Sequence, residues 1–286
     1  MFRRGPVAFE VSDYHENGFA APIRVLGDAE TGVLRDEVAR LRREHPSDAG
    51  QFLGTNCHLL LPSFYDLALS EKVLDAVEAV LGPNLLVWSS GFFLKDPGDE
   101  KFVSWHQDST YWGLEPPEIT TAWIALTPSV PESGCLRVVP GSHTQGQVAH
   151  VDSFAETNML SRGQEIAVDV TEDEAQDIEL QPGEMSLHHV RLVHGSEPNR
   201  ARYPRVGFAV RYIPTHVRQN GGRTFAVLAR GRDDYRHFDS PPRPDAALSP
   251  TAWDTHQESL RRTNAILMAT AAQETAAPGH RLKGVD

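Results

Sequence analysis

"LHHVRLVHGSEPNRARYPRVGFAVRYI" spans residues 187–213 and reads as two β-strands around a turn rich in Pro, Asn and Arg. With the turn centred near Arg200, Ser196 lies opposite Arg205. Gly207 then lies opposite His194 and leaves space there. Side chains at i and i+2 of a strand share a face, so His194 and Ser196 project together. One surface would carry an imidazole, a hydroxyl and a guanidinium. An imidazole can hold a metal, a guanidinium fork grips a carboxylate through two parallel hydrogen bonds, and the hydroxyl adds a third. That combination suits a co-substrate that chelates a metal at one end and has a free carboxylate at the other, as 2-oxoglutarate does.

Outward from this stretch the β character continues over residues 84–215. "NLLVWSSGFFL" (84–94), "ITTAWIALTPSV" (119–130), "GCLRVVPGS" (134–142), "QEIAVDV" (164–170), "DIELQPGEMSLHHVRLVHGS" (177–196) and "RVGFAVRYIP" (205–214) are short and rich in β-branched or aromatic residues. Gly, Pro, Asp and Asn punctuate them, the pattern of a barrel or sandwich. Helical spacing appears before this region. Val33, Leu34, Val38 and Leu41 mark a helix over 28–46, ended by Pro46; a second runs over 70–83, with Ser70 as N-cap and Gly82-Pro83 as its stop. "HFDSPPRPDAALSP" (237–250) reads as a loop, residues 251–272 as a final helix, and "PGHRLKGVD" (278–286) as a frayed tail. The expected organisation is one domain over 1–286. It places N-terminal helices at about 28–82, the β core at about 84–215, and a C-terminal loop and helix at about 237–275.

Bulk properties narrow the partners. The chain has 286 residues with 27 basic and 39 acidic side chains, a net charge of −12. Such a surface is a poor match for nucleic acid or an anionic membrane, though not for a small anion in a locally basic pocket. No apolar run approaches a membrane span, and the N-terminus lacks the apolar core of a signal peptide. Cys57 and Cys135 are far apart and in no paired spacing. A reduced, cytoplasmic protein with structural thiols is expected. A homo-oligomer is compatible with the sequence.

"SWHQDSTYWG" (104–113) supplies the remaining metal donors. On a strand His106 and Asp108 point the same way, with Gln107 turned aside. Two histidines and one carboxylate with open positions suit non-haem Fe(II) that must also bind O2 and a co-substrate. His188 and His189 compete with His194 for the third position. Six residues of strand separate His188 from His194 by roughly 20 Å, so both cannot serve one metal, and His189 points away. Supporting or core roles are expected for both, and a structural role for His143 on its turn. Tyr111 and Trp112 either line the pocket or fill core. Arg211 and Arg218 read as solvated strand ends, with contact to an acidic substrate as the alternative.

In its ordered fragments the chain resembles the phytanoyl-CoA dioxygenase family of Fe(II)/2-oxoglutarate oxygenases. The resemblance begins at "YHENGFAAPIRVL" (14–26) and runs through "WHQDSTYWG", "TAWIAL" (121–126) and "ESGCLRVVPGSHTQG" (132–146). It ends in "LQPGEMSLHHVRLVHGSEPN" (180–199) and Arg205. It implies a mainly β fold, a double-stranded β-helix or cupin-like jelly roll, with flanking helices. It further implies that His106, Asp108 and His194 bind iron, and that Arg205 and Ser196 hold the far carboxylate of 2-oxoglutarate. By the same resemblance, Trp123 is the aromatic near the co-substrate. Asn56, His58 and Lys95 match more loosely, as contacts to 2-oxoglutarate or substrate.

The implied reaction hydroxylates an unactivated C–H bond of a small molecule, consuming O2 and releasing succinate and CO2. Asp108 bears on the choice among relatives, because the related radical halogenases lack this carboxylate. A jelly roll also hosts metal- and ligand-binding proteins that use no 2-oxoglutarate. Retention of all three ligands and the Arg clamp favours the enzyme. The absence of a basic cluster fit for CoA phosphates favours a small polar metabolite or natural-product intermediate over an acyl-CoA.

Overall fold

The computed structural model describes residues 9–148, 150–152, 157–160, 164–166 and 170–276. The proposed tail lies outside them, as do residues 167–169 of the expected 164–170 strand. Fourteen strands appear among the described residues: β1 (Phe19–Arg24), β2 (Leu85–Lys95), β3 (Val103–His106), β4 (Leu114–Glu115), β5 (Thr120–Ala125), β6 (Leu136–Val138), β7 (His150–Asp152), β8 (Gln164–Ile166), β9 (Gln176–Ile178), β10 (Glu184–His189), β11 (His194–Ser196), β12 (Arg205–Pro214), β13 (Arg218–Gln219) and β14 (Val227–Arg230). The large sheet has the order β1-β10-β5-β12-β2-β14 and the small sheet β3-β11-β6-β9; β13-β4 and β7-β8 form two-stranded ribbons. All of these pairings are antiparallel.

The chain passes back and forth between the two main sheets: β2 large, β3 small, β5 large, β6 and β9 small, β10 large, β11 small, β12 large. This alternation is the mark of a double-stranded β-helix and agrees with the expected jelly roll. Period-2 patterning explains the layering. On β12, Val206, Phe208, Val210 and Tyr212 enter the main core, packed with Leu34, Val38, Leu41, Val73 and Val77 of the N-terminal helices. The alternate residues Arg205, Ala209 and Arg211 line a cavity instead.

The helices are α1 (Val11–Asn17), α2 (Asp28–Glu44), α3 (Ala49–Phe52), α4 (Pro62–Ala68), α5 (Glu71–Leu81) and α6 (Pro250–Ala276). The two expected N-terminal helices correspond to α2 and α5. Leu34, Val38 and Leu41 are buried, but Val33 is exposed. Ser70 stands at the N-cap of α5, yet its hydroxyl makes no capping hydrogen bond. Helix α4 escapes a periodicity reading because it is only about two turns long, with Phe64, Tyr65, Leu67 and Ala68 buried.

The hairpin over 187–213 is corrected. β11 pairs with β3 and β6, whereas β12 pairs with β2 and β5, so the two strands lie on different sheets. Both edges of β12 are already occupied, and residues 197–204 cross from one sheet to the other. Arg205 stands opposite Lys95, and Gly207 opposite Phe93 and Ala125, not His194.

Candidate active site

His106 ends β3 and His194 opens β11, and the small sheet places them in direct register. Their ring centroids are 4.1 Å apart. Asp108 is not on the strand: Gln107 is extended, and a 3-10 turn begins at Asp108. The turn is pinned by Gln107, whose Nε2 donates to the carbonyls of Gly146 and Arg191 while its Oε1 accepts from the Val148 amide. Asp108 Oδ1 therefore reaches to 3.4 Å from His106 Nε2 and 4.0 Å from His194 Nε2. One donor atom from each residue lies within 4.8 Å of the others, and no other such group of His, Cys, Asp and Glu occurs among the described residues.

The protonation pattern fits a metal. His106 Nδ1 and His194 Nδ1 each lie 2.9 Å from a carbonyl oxygen, that of Ser104 and that of Leu192. A carbonyl can only accept, so each Nδ1 carries the proton and each Nε2 keeps its lone pair for a cation. Burial, then the neighbouring His106, lowers the pKa of His194 and keeps it neutral. Burial opposes ionisation of Asp108. Close contact with the His106 and His194 rings and the charge of Arg211 outweigh it and hold the carboxyl well below its usual range. Two neutral imidazoles and a carboxylate are the donor set of a non-haem iron site.

Arg205 reaches the same cavity from β12 and is 1 % exposed. Its Nη1 donates to the Gly134 carbonyl over 2.6 Å, while Nε and Nη2 have no hydrogen-bond partner. A buried guanidinium edge with two free N–H groups is an anion seat, since such donors are costly to leave unpaired. Gly134 can stand so close because a Cβ there would lie 2.1 Å from the Glu197 carbonyl oxygen, at φ +67°. Trp123 lies under the guanidinium at 5.3 Å. Its ring fills the space that a Cβ on Gly207 would need, 1.9 Å away, so Gly207 makes room for Trp123 and not for His194.

Ser196 also lines the cavity, and its Oγ accepts from Lys95 Nζ over 2.7 Å. The Ser196 and Glu197 carbonyls also lie within hydrogen-bonding reach of Nζ, which as a neutral amine has two N–H groups to share among the three acceptors. It supports the cavity wall without being part of the lining. Burial, then the charge of Arg205, pushes its pKa down to about 6.

The loosest expectations fare differently. Asn56 donates to Ser259, and the His58 ring and backbone amide both bond Ser90 Oγ. Neither lines the cavity; Asn56 N–Ser90 O and Phe92 N–Leu53 O bonds tie this loop to the edge of β2, and the Asn56–Ser259 bond ties it to helix α6. His188, expected far from the ligands, lies with its Nε2 3.9 Å from Asp108 Oδ2 and its ring centroid 4.8 Å from that of His194. The distance argument failed because residues 190–193 turn the chain between sheets instead of continuing a strand. His189 does point away and packs with His143, whose Nε2 bonds the His15 carbonyl.

Arg211 is also corrected: it is half-buried and lines the cavity. Arg218 is a surface residue paired with Glu115. Trp112 packs on Trp88 and over Arg211; the Tyr111 side chain lies outside the described residues. The cavity has about 420 Å3 of empty space, part of it open to solvent. Both Cys57 and Cys135 are buried free thiols, pushed up to about 12 by burial. No helix among the described residues is long and apolar enough to cross a membrane.

With this geometry in hand, comparison with known proteins is informative. A Stutzerimonas stutzeri protein named as a probable alpha-ketoglutarate-dependent hypophosphite dioxygenase is 32% identical over 162 residues, covering 54% of this chain and 55% of its own. The chain spans about half the length of the curated relatives it matches. Among solved structures, the non-heme monooxygenase ThoJ in its apo form is 29% identical with a TM-score of 0.83, covering 92% of this chain and 99% of that one. The non-heme alpha ketoglutarate dependent carbocyclase SnoK from nogalamycin biosynthesis is 25% identical with a TM-score of 0.60, covering 74% and 86%. The family model described as Phytanoyl-CoA dioxygenase (PhyH) matches residues 14–207. The chain therefore belongs to the phytanoyl-CoA dioxygenase family.

Proposed function

We propose that this protein is an Fe(II)/2-oxoglutarate-dependent dioxygenase that hydroxylates a C–H bond of a small molecule. His106, Asp108 and His194 would hold the iron, and Arg205 with Ser196 would hold the far carboxylate of 2-oxoglutarate. The observation that carries this reading is that Arg205 shares one cavity with the His-Asp-His set while two of its N–H donors are unpaired. A metal site alone would not require a second cation facing it; a chelating dicarboxylate uses both.

When bound, Fe(II) and 2-oxoglutarate supply the oxidising chemistry, coupling O2 reduction to formation of succinate and CO2. The chain's own residues bind, orient and shield. The Ser104 and Leu192 carbonyls fix the two imidazole rings in their metal-binding tautomers. Trp123 buttresses Arg205 from one face, and Gly134 holds one end of its fork. Lys95 orients the Ser196 hydroxyl: with its oxygen accepting from Nζ, the hydroxyl hydrogen is free to be donated to a carboxylate. Phe93, Val103 and Leu136 give the cavity apolar walls that limit water.

Asp108 argues against a halogenase, whose halide would need that ligand position. The unpaired Arg205 edge argues against a purely metal-binding jelly roll. Succinate formation dependent on Fe(II), O2 and 2-oxoglutarate, with a hydroxylated product by mass spectrometry, tests the reading. Absence of 2-oxoglutarate binding to the Fe(II)-loaded protein would overturn it.

A further inference from the structure

Two guanidiniums line the cavity from one strand. Arg205, Gly207, Ala209 and Arg211 alternate with core residues along β12, so the face toward the cavity has a cation at each end and small residues between. Six residues of strand place the two Cα atoms about 20 Å apart. Arg205 already has its own surroundings: Gly134, Trp123, and Ser196 nearby. Arg211 has different ones. The Phe93 and Trp112 rings lie 5.6 Å and 5.7 Å from its guanidinium carbon. Its Nε is buried with no hydrogen-bond partner, and it forms no ion pair among the described residues. Aromatic contact constrains the planar group and leaves its N–H edge to find an acceptor.

In the reading above Arg205 and Ser196 hold the far carboxylate of 2-oxoglutarate, which leaves the Arg211 edge to another acceptor. Asp108 is the one acid among the described lining residues, and its Oδ1 faces His106 and His194. Arg211 is the second lining guanidinium, and its Nε stays without a hydrogen-bond partner.

We propose that Arg211 is the substrate anchor: the substrate of this site carries an oxyanion group, a carboxylate or a phosphonate, that pairs with the guanidinium edge of Arg211 and sets the bond to be oxidised against the His106–Asp108–His194 set. This rests on the oxygenase reading above and adds the class of substrate. The net charge of −12 does not oppose it, because the anion is bound inside a locally basic cavity.

The test uses the Fe(II)-loaded full chain with paired probes: butyrate, butyramide and propylphosphonate. The charge-transfer absorbance of the Fe(II)–2-oxoglutarate complex under argon first reports co-substrate binding, which separates failure of the oxygenase reading from failure of the anchor. Calorimetric affinity for each probe and its stimulation of succinate formation are then measured in the wild type, Arg211→Gln and Arg211→Lys. At least one anion should bind and stimulate about tenfold or more better than butyramide, a preference falling to roughly threefold or less in Arg211→Gln and partly kept by Arg211→Lys. The carboxylate and phosphonate arms identify which oxyanion fits. Equal response to butyrate, propylphosphonate and butyramide in the wild type would overturn the anchor, as would an anion preference that persists in Arg211→Gln. Loss of the charge-transfer band in Arg211→Gln would also overturn it, by assigning Arg211 to the co-substrate.

Discussion

Lys95 and Arg205 stand opposite each other on β2 and β12, yet their side chains serve different surfaces. Arg205 enters the cavity, whereas Lys95 crosses to the small sheet and hydrogen-bonds Ser196. The two buried cations are close enough that Arg205 helps depress the pKa of Lys95 to about 6.

That depression makes the stability of the fold depend on pH. Below about 6, both folded and unfolded chains carry the ammonium. Between about 6 and the ordinary value of 10.5, the unfolded chain alone binds the proton, so rising pH favours the folded state. Urea denaturation of the metal-free protein should show the wild type gaining stability relative to Lys95→Met between pH 6 and 9, by up to about 1.4 kcal/mol per pH unit. A difference that is flat or falls with pH would show that the ammonium persists in the folded state.

Arg205→Lys keeps a charge but loses the fork. Its affinity for 2-oxoglutarate should fall roughly 10- to 100-fold, the equivalent of about 1.5–3 kcal/mol for a charge-assisted pair. Titration of the Fe(II)-loaded protein under argon measures this. Undiminished affinity would mean that the far carboxylate sits elsewhere.

Replacing Asp108 by Ala removes the one carboxylate of the proposed metal-binding set. We expect turnover to fall about 100-fold or more, with weakened Fe(II) binding by equilibrium dialysis. Full hydroxylase activity in that variant would refute the ligand assignment.

Gly207→Ala tests the packing. The added carbon would lie 1.9 Å from the Trp123 ring, so the indole must move and Arg205 loses its buttress. Overpacking of this kind costs about 1–3 kcal/mol. A lower Tm together with a raised KM for 2-oxoglutarate is expected; an unchanged Tm would mean that the ring relaxes freely.

Much of this was legible in the chain itself. Alternating apolar residues located the strands, and the i, i+2 rule brought His106 and Asp108 together even though the strand stops between them. Pairing was not legible. Ser196 and Arg205 read as hairpin partners because eight residues join them, but sequence proximity does not reveal which strand edges other strands already occupy. The same blindness hid His188, whose distance from Asp108 depends on a turn at 190–193, and Arg211, whose apparent strand end continues into a covered sheet. Asn56 and His58 matched the family only loosely, and their polar atoms serve a loop–helix junction.

The division of labour between the sheets has a mechanical consequence. His106 and His194 belong to the small sheet, with Asp108 on the turn leaving it; Arg205, Arg211 and Trp123 belong to the large one. Neither layer alone sets the gap between the ligand set and the cationic wall. That gap is the thickness of the sandwich, and Lys95, rooted in β2 and bonded to Ser196 on β11, spans it like a tie rod. A substitution that thickens or thins the hydrophobic filling can therefore detune the site while leaving every residue in it unchanged.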